Sequence, residues 1–93
     1  MSITFDPAKR AVTLQRRGLD FAGAAEVFAG DVITMPDDRR DYGEARFISA
    51  GYLRKRMVVI VWTPRGDARH VISMRYCHAK EERFWREQMD RSR

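Results

Sequence analysis

Two hydrophobic periods run along this chain, and they divide it into strands and helices. Residues 2–5, SITF, alternate and predict a short first strand with Ile3 and Phe5 turned inward. DPAKRAVTLQRRG then carries helix boundary chemistry. Asp6 can accept from free N–H groups, Pro7 suits the first helical position, and Gly18 suits a left-handed terminating residue. Ala8, Ala11, Val12 and Leu14 predict its apolar side. LDFAGAAEVFAG repeats the grammar, with Asp20 as cap, Gly30 as stop and a wide apolar surface from Phe21 to Phe28.

DVITM is the next predicted strand, and PDDRRDYGE a loop broken by Pro36 and Gly43. ARFISAGY alternates, LRKR turns the chain, and MVVIVW is a continuous apolar run expected at the sheet centre. TPRGD is a further turn, HVISMR a last strand, and AKEERFWREQMDR a last helix. In that helix Glu82–Arg86 and Glu87–Arg91 are spaced i,i+4, and Trp85 and Met89 share a stripe. The order is β-α-α-β-β-β-β-α. Strands joined by short turns predict an α+β fold, a small antiparallel β-sheet (a meander) with helices packed on one face. Residues 1–93 are expected to form a single domain.

RHVISMR raises a question of its own. Alternation puts Arg69, Val71, Ser73 and Arg75 on one side of the strand and His70, Ile72 and Met74 on the other. If helices cover one face of the sheet, Arg69, Ser73 and Arg75 are expected on the free face, with Arg46 joining them. Guanidinium groups crowded there repel unless an anion or carboxylates lie between them, which suits a phosphate-binding surface. The bland alternative is pairing with Glu44, Glu81 and the loop aspartates, at about 0–1 kcal/mol for each surface pair.

Charge sharpens this picture. Formal net charge is +5, and the excess is confined to residues 47–93, which hold eleven Lys/Arg against five Asp/Glu. Arginine supplies 15 of the 18 basic residues and grips phosphate bidentately. A basic half suits an anionic partner, nucleic acid first, and equally describes a plain basic domain. With 44% hydrophobic and 33% charged residues the chain is of folded, not disordered, composition. The one cysteine, Cys77, excludes an internal disulfide and a zinc cluster. No apolar run is of membrane-spanning length, and MSITFDPAKR has no signal-peptide core, so no membrane partner and a cytoplasmic location are expected.

Single residues are weighed the same way. His70 reads as a packed histidine beside Ile72 and Met74, His78 as a helix cap, Cys77 as a small packed residue, and Trp62, Tyr76 and Trp85 as core before stacking platforms for bases. Arg54, Lys55 and Arg56 form either a lure for RNA or a solvated hairpin tip. PDDRRD interleaves arginine with its aspartates, and neither a metal site nor a cofactor is expected.

The order of FDPAK, RRGLDF, DYGEARF and VISMR followed by Glu81 resembles the BrnT family, the toxin half of a type II toxin–antitoxin pair. The resemblance runs from Phe5 to about Trp85 and implies a RelE-like fold and a ribonuclease that stops translation and growth. It implies a BrnA-like antitoxin as partner, RNA as substrate, and promoter DNA met through the toxin–antitoxin complex. Two positions depart from the family pattern. Arg16-Arg17-Gly18 stands where members usually have Lys-His-Gly, and His70 stands where they usually have arginine.

RNA cleavage without metal needs a base for the 2′ proton, an acid for the leaving oxygen and cations for the phosphorane. Arg75 is the first candidate for the last task and Arg46 the second. Glu44 and Glu81 are candidate bases, and Lys9 is an alternative. Arg69, Ser73, Arg17, Arg54, Lys55 and Arg56 are expected to bind RNA. The competing class is a non-catalytic module, a degraded toxin that binds nucleic acid or antitoxin.

Overall fold

Local chemistry sets the helix limits. In a computed structural model, which describes residues 1–92, Asp6 accepts from the Ala8 amide at 2.8 Å and starts helix α1 (Pro7–Arg17). Gly18, at φ 68°, ends it in the left-handed conformation that costs glycine least. Asp20 then caps a 3₁₀ turn, Phe21–Gly23, which leads into the short helix α2 (Ala24–Ala29). His78 starts the last helix, α3 (Ala79–Arg91), its Nδ1 accepting from the Glu81 amide.

The strands are β1 (Ser2–Phe5), β2 (Val32–Pro36), β3 (Phe47–Leu53), β4 (Arg56–Arg65) and β5 (Ala68–Tyr76). They form one sheet in the order β1-β5-β4-β3-β2, with the apolar run of β4 at its centre. β2 through β5 pair antiparallel, as expected of a meander. The expected all-antiparallel sheet is corrected at one edge: β1 pairs parallel with β5, so the sheet is mixed. The crossing from β1 through α1 and α2 to the far edge allows the chain's first strand to lie beside its last.

Helices on one face only is the second correction. On the inner face, Leu19, Phe21, Ala24 and Val27 pack against Val58, Ile60, Trp62, Val71 and Met74, with Ile3 and Phe5 beside them. Burying each of the larger of these side chains stabilises the fold by about 1.5–3 kcal/mol. On the outer face, Trp85 and Met89 of α3 pack on Ala50, Met57 and Val59. A two-sided sheet is the physical consequence of β4, whose Met57 to Ile60 are all buried, on alternate faces. A strand apolar on both faces needs cover on both.

α1 departs from expectation as well. None of its side chains is buried, and Val12 and Leu14 are 47% and 46% exposed. It is held by polar contacts instead. Arg10 donates to both oxygens of Asp20 at 2.8 and 2.9 Å, and Arg17 donates to the Met74 carbonyl at 3.1 Å.

Gly51 sets the approach of α2 to the sheet. A Cβ there would lie 2.7 Å from Val32 Cγ1 and 2.9 Å from Val27 Cγ1. Gly51→Ala is therefore expected to destabilise the fold by about 1–3 kcal/mol. A urea titration would check it, and an unchanged midpoint would contradict this packing account.

Candidate functional site

An irregularity in β5 decides which side chains share a face. Val61 pairs with Ser73 and Trp62 with Val71, which leaves Ile72 with no partner. This one-residue bulge reverses the alternation. Val71 and Met74 both enter the inner core, while Ser73 and Arg75 belong to the outer face. Arg69, paired with Pro64, falls on the inner face. Its guanidinium carbon lies 4.2 Å from the Phe28 ring centroid and 5.2 Å from that of Trp62. The expected row of Arg69, Ser73 and Arg75 on one face is corrected accordingly: the bulge separates Arg69 from the other two. Arg69 also keeps a buried Nε with no hydrogen-bond partner.

The outer face is covered at one end by α3 and open at the other. Val61, in the central strand, is only half-buried, as are its neighbours Ile48 and Ser73. Charged side chains border this opening. From β5, Arg75 donates through both Nη atoms to the two Glu81 oxygens at 2.6 Å each. The pair holds the Glu81 carboxyl below its usual range, against the effect of burial. A carboxylate held low is a poorer base, which weighs against Glu81 in that role. The neighbouring Cys77 thiol is pushed up to about 12, chiefly by burial, and so stays protonated.

The loop after β2 supplies the other border. Asp37 is buried, its amide donates to the Arg46 carbonyl at 2.8 Å, and its carboxylate accepts two bonds from Arg39 at 2.7 and 2.8 Å. These bonds hold the Asp37 carboxyl low, with burial opposing them, and the charge of Arg46 acts in the same direction. Arg46 lies 3.9 Å from the Tyr42 ring centroid, and its Nε donates to Glu44 at 3.3 Å. The positive charge of Arg39 also reaches Arg75. Arg39, Arg46 and Arg75 thus border one patch, each with its own carboxylate, and all three retain exposed side-chain surface.

His70 completes the border. Its Nδ1 lies 2.8 Å from Thr4 Oγ1 across the parallel β1–β5 pair. Burial lowers its pKa, Arg65 and Lys9 lower it further, and Glu44 and Asp6 oppose them. Lys9 and Glu44, both candidates from the sequence, therefore lie within electrostatic reach of this ring.

Other candidates are scattered. Arg54, Lys55 and Arg56 sit at the hairpin tip where β3 meets β4, the end opposite Arg46. Arg56 stacks 3.6 Å from the Tyr76 ring centroid. Arg17 reaches the backbone of β5 beside Arg75. Trp62 and Trp85 are core residues. The sequence reading missed Arg39 and Asp37, which look like solvated loop charge, and ranked His70 as packing. An aspartate two residues before arginine, after a strand, was the signal available for the first pair.

A family model for the ribonuclease toxin BrnT of type II toxin–antitoxin systems matches residues 5–81. The chain belongs to that family. No curated protein matches it. BrnT membership brings with it an antitoxin partner and an RNA target. The match spans the border of the open patch, Asp37, Arg39, Glu44, Arg46, His70, Arg75 and Glu81, and Lys9 as well. No helix among the described residues is long and apolar enough to cross a membrane, and no three of their His, Cys, Asp or Glu side chains gather as metal ligands.

Two carboxylates of the border, Asp37 and Glu81, titrate lower in the fold than in the unfolded chain. Their contribution is complete above the ordinary carboxylate pKa of about 4 and is lost as pH falls through the lowered native values. Urea midpoints are therefore expected to slip modestly below the usual histidine range, where the unfolded chain protonates a His70 whose pKa the fold lowers, and to drop further below about pH 4 as Asp37 and Glu81 protonate. Glu81→Gln is expected to be less stable than the parent at pH 7 and to show a shallower acid limb. Identical limbs would show that the Arg75–Glu81 pair does not contribute.

Proposed function

We propose that this BrnT-family chain is an endoribonuclease toxin that cleaves RNA without metal and thereby arrests translation and growth. The observation that carries the reading is the open end of the outer sheet face, where arginines from β5, from the residue just before β3 and from the loop after β2 gather beside one half-buried strip. Three guanidinium groups that keep some exposed surface around a shallow patch suit a polyanion, and the ribonuclease description of the family favours RNA over DNA.

The chemistry is intramolecular. The ribose 2′ oxygen attacks the adjacent phosphorus in line with the departing 5′ oxygen and leaves a 2′,3′-cyclic phosphate. Arg46 and Arg75 stabilise the charge that builds on the non-bridging oxygens. Their carboxylate partners Glu44 and Glu81 hold them in place until a phosphate competes for the same donors. Arg39 neutralises a neighbouring phosphate, and Tyr42 offers an aromatic face to a base. The partner is a BrnA-like antitoxin, and promoter DNA is reached through the complex. α1 supports an acidic, apolar antitoxin segment as its cover, since it carries Lys9, Arg10, Arg16 and Arg17, no acidic residue, and uncovered Val12 and Leu14.

The paired state of Arg75 favours one rival, a module that binds RNA without cutting it. The product decides between them. Cleaved RNA with a 2′,3′-cyclic phosphate end is expected, and the reaction is expected to survive EDTA. A gel shift of intact RNA with no cleavage supports the rival. Arg46→Ala and Arg75→Ala are each expected to slow cleavage about 10²–10³-fold and to relieve growth arrest. Undiminished toxicity in Arg75→Ala would remove that residue from the mechanism.

A further inference from the structure

We propose that His70 accepts the 2′-hydroxyl proton in RNA cleavage by this chain, with Thr4 holding the imidazole in the tautomer that leaves Nε2 free to do so. This inference rests on the nuclease reading above. Three observations support it. First, the bulge at Ile72 gives His70 the same sheet face as Arg75 and takes Arg69 off that face. Second, His70 pairs with Thr63 of β4, and Thr63 is one step along from the Phe47–Trp62 pair, so Arg46 stands two strands away in the same row. Buried Thr63 is tied down by its bond to the Ala45 carbonyl at 2.6 Å, which fixes the floor between them. Third, Nδ1 is already engaged by Thr4 Oγ1 at 2.8 Å, and Nε2 has no protein partner among the described residues.

The contact admits the tautomer this step needs, since the Thr4 hydroxyl can accept from Nδ1–H as well as donate to a bare Nδ1. If Nδ1–H donates to the Thr4 hydroxyl, Nε2 carries a lone pair and can take a proton. The surroundings keep the ring neutral near pH 7. Arg65 at the end of β4 and Lys9 of α1 disfavour a second proton, along with burial, while Glu44 from the loop and Asp6 at the α1 cap oppose them. Glu81, the carboxylate candidate clamped by Arg75, is not needed as a base.

The step balances. The 2′ O–H proton passes to Nε2 as the 2′ O–P bond forms and the P–O5′ bond breaks. The leaving 5′ oxygen takes a proton from water, and the imidazolium returns its proton to the resulting hydroxide. His70 ends the cycle neutral.

Cleavage of a short RNA by the full chain, followed against pH, tests the assignment. The parent rate is expected to rise with pH through an ionisation at or below the usual histidine range. His70→Gln is expected to lose about 10²–10⁴ in rate together with that limb. Thr4→Val is expected to slow cleavage, and Thr4→Ser to restore it, with unchanged unfolding midpoints. Nitrogen chemical shifts of His70 in the free protein give a readout independent of activity. The Nδ1–H tautomer is expected, and an Nε2–H tautomer would overturn the proposal even for an active nuclease. So would a His70→Gln variant that keeps the parental rate and pH limb. A parent that cuts no RNA at any pH would instead sink the nuclease reading and this step with it.

Discussion

Ile72 has no partner opposite it, and the character of both sheet faces depends on that extra residue. In a regular strand Val71 and Met74 would face opposite ways, and one of the two would leave the core. The bulge lets both enter it. The same half-turn sends His70 and Arg75, five residues apart, to the outer face and leaves Arg69 inside against Phe28 and Trp62. Bulges commonly re-aim side chains beside functional sites, and here one insertion settles core packing and the charged border together.

Like charges do not gather without compensation. Arg39, Arg46 and Arg75 are held around the open patch because Asp37, Glu44 and Glu81 each neutralise one of them. The three pairs differ in kind. Asp37 is buried and its backbone is tied to Arg46, so the Arg39 pair anchors the loop. Arg75–Glu81 is bidentate and joins the end of β5 to the first turn of α3. Arg46–Glu44 is a single long contact, the weakest of the three and the easiest for a phosphate to displace. A gradient from anchored to loosely held cations suits a surface that must be pre-arranged and still exchange its partners.

Much of this was legible from residues alone, where the deciding contacts are local. Asp6, Pro7, Gly18 and His78 act within a few residues of themselves and bound their helices as read, while Asp20 caps a 3₁₀ turn ahead of the short helix it was expected to start. The run at residues 57–62 lies in the central strand because only a strand buried on both sides tolerates it. Glu44, Arg46, Arg75 and Glu81 were recognisable candidates from charge and position. The parallel β1–β5 pair was not, since its partners are 66 residues apart and a four-residue strand does not declare its neighbour. The uncovered apolar positions of α1 were not legible either, because periodicity shows an apolar side without showing what meets it.

By itself, then, the chain of residues determined the elements, the central strand and the chemical inventory of the patch, all consequences of short-range sterics, capping and hydrophobic period. Tertiary structure alone decided which inventory members meet. It divided the helices between two faces, moved Arg69 away from Arg75, brought Arg39 in from a loop, and set His70 against Thr4. Those outcomes depend on register, and one unpaired residue in a strand changes register without changing the pattern that a reader of the sequence sees.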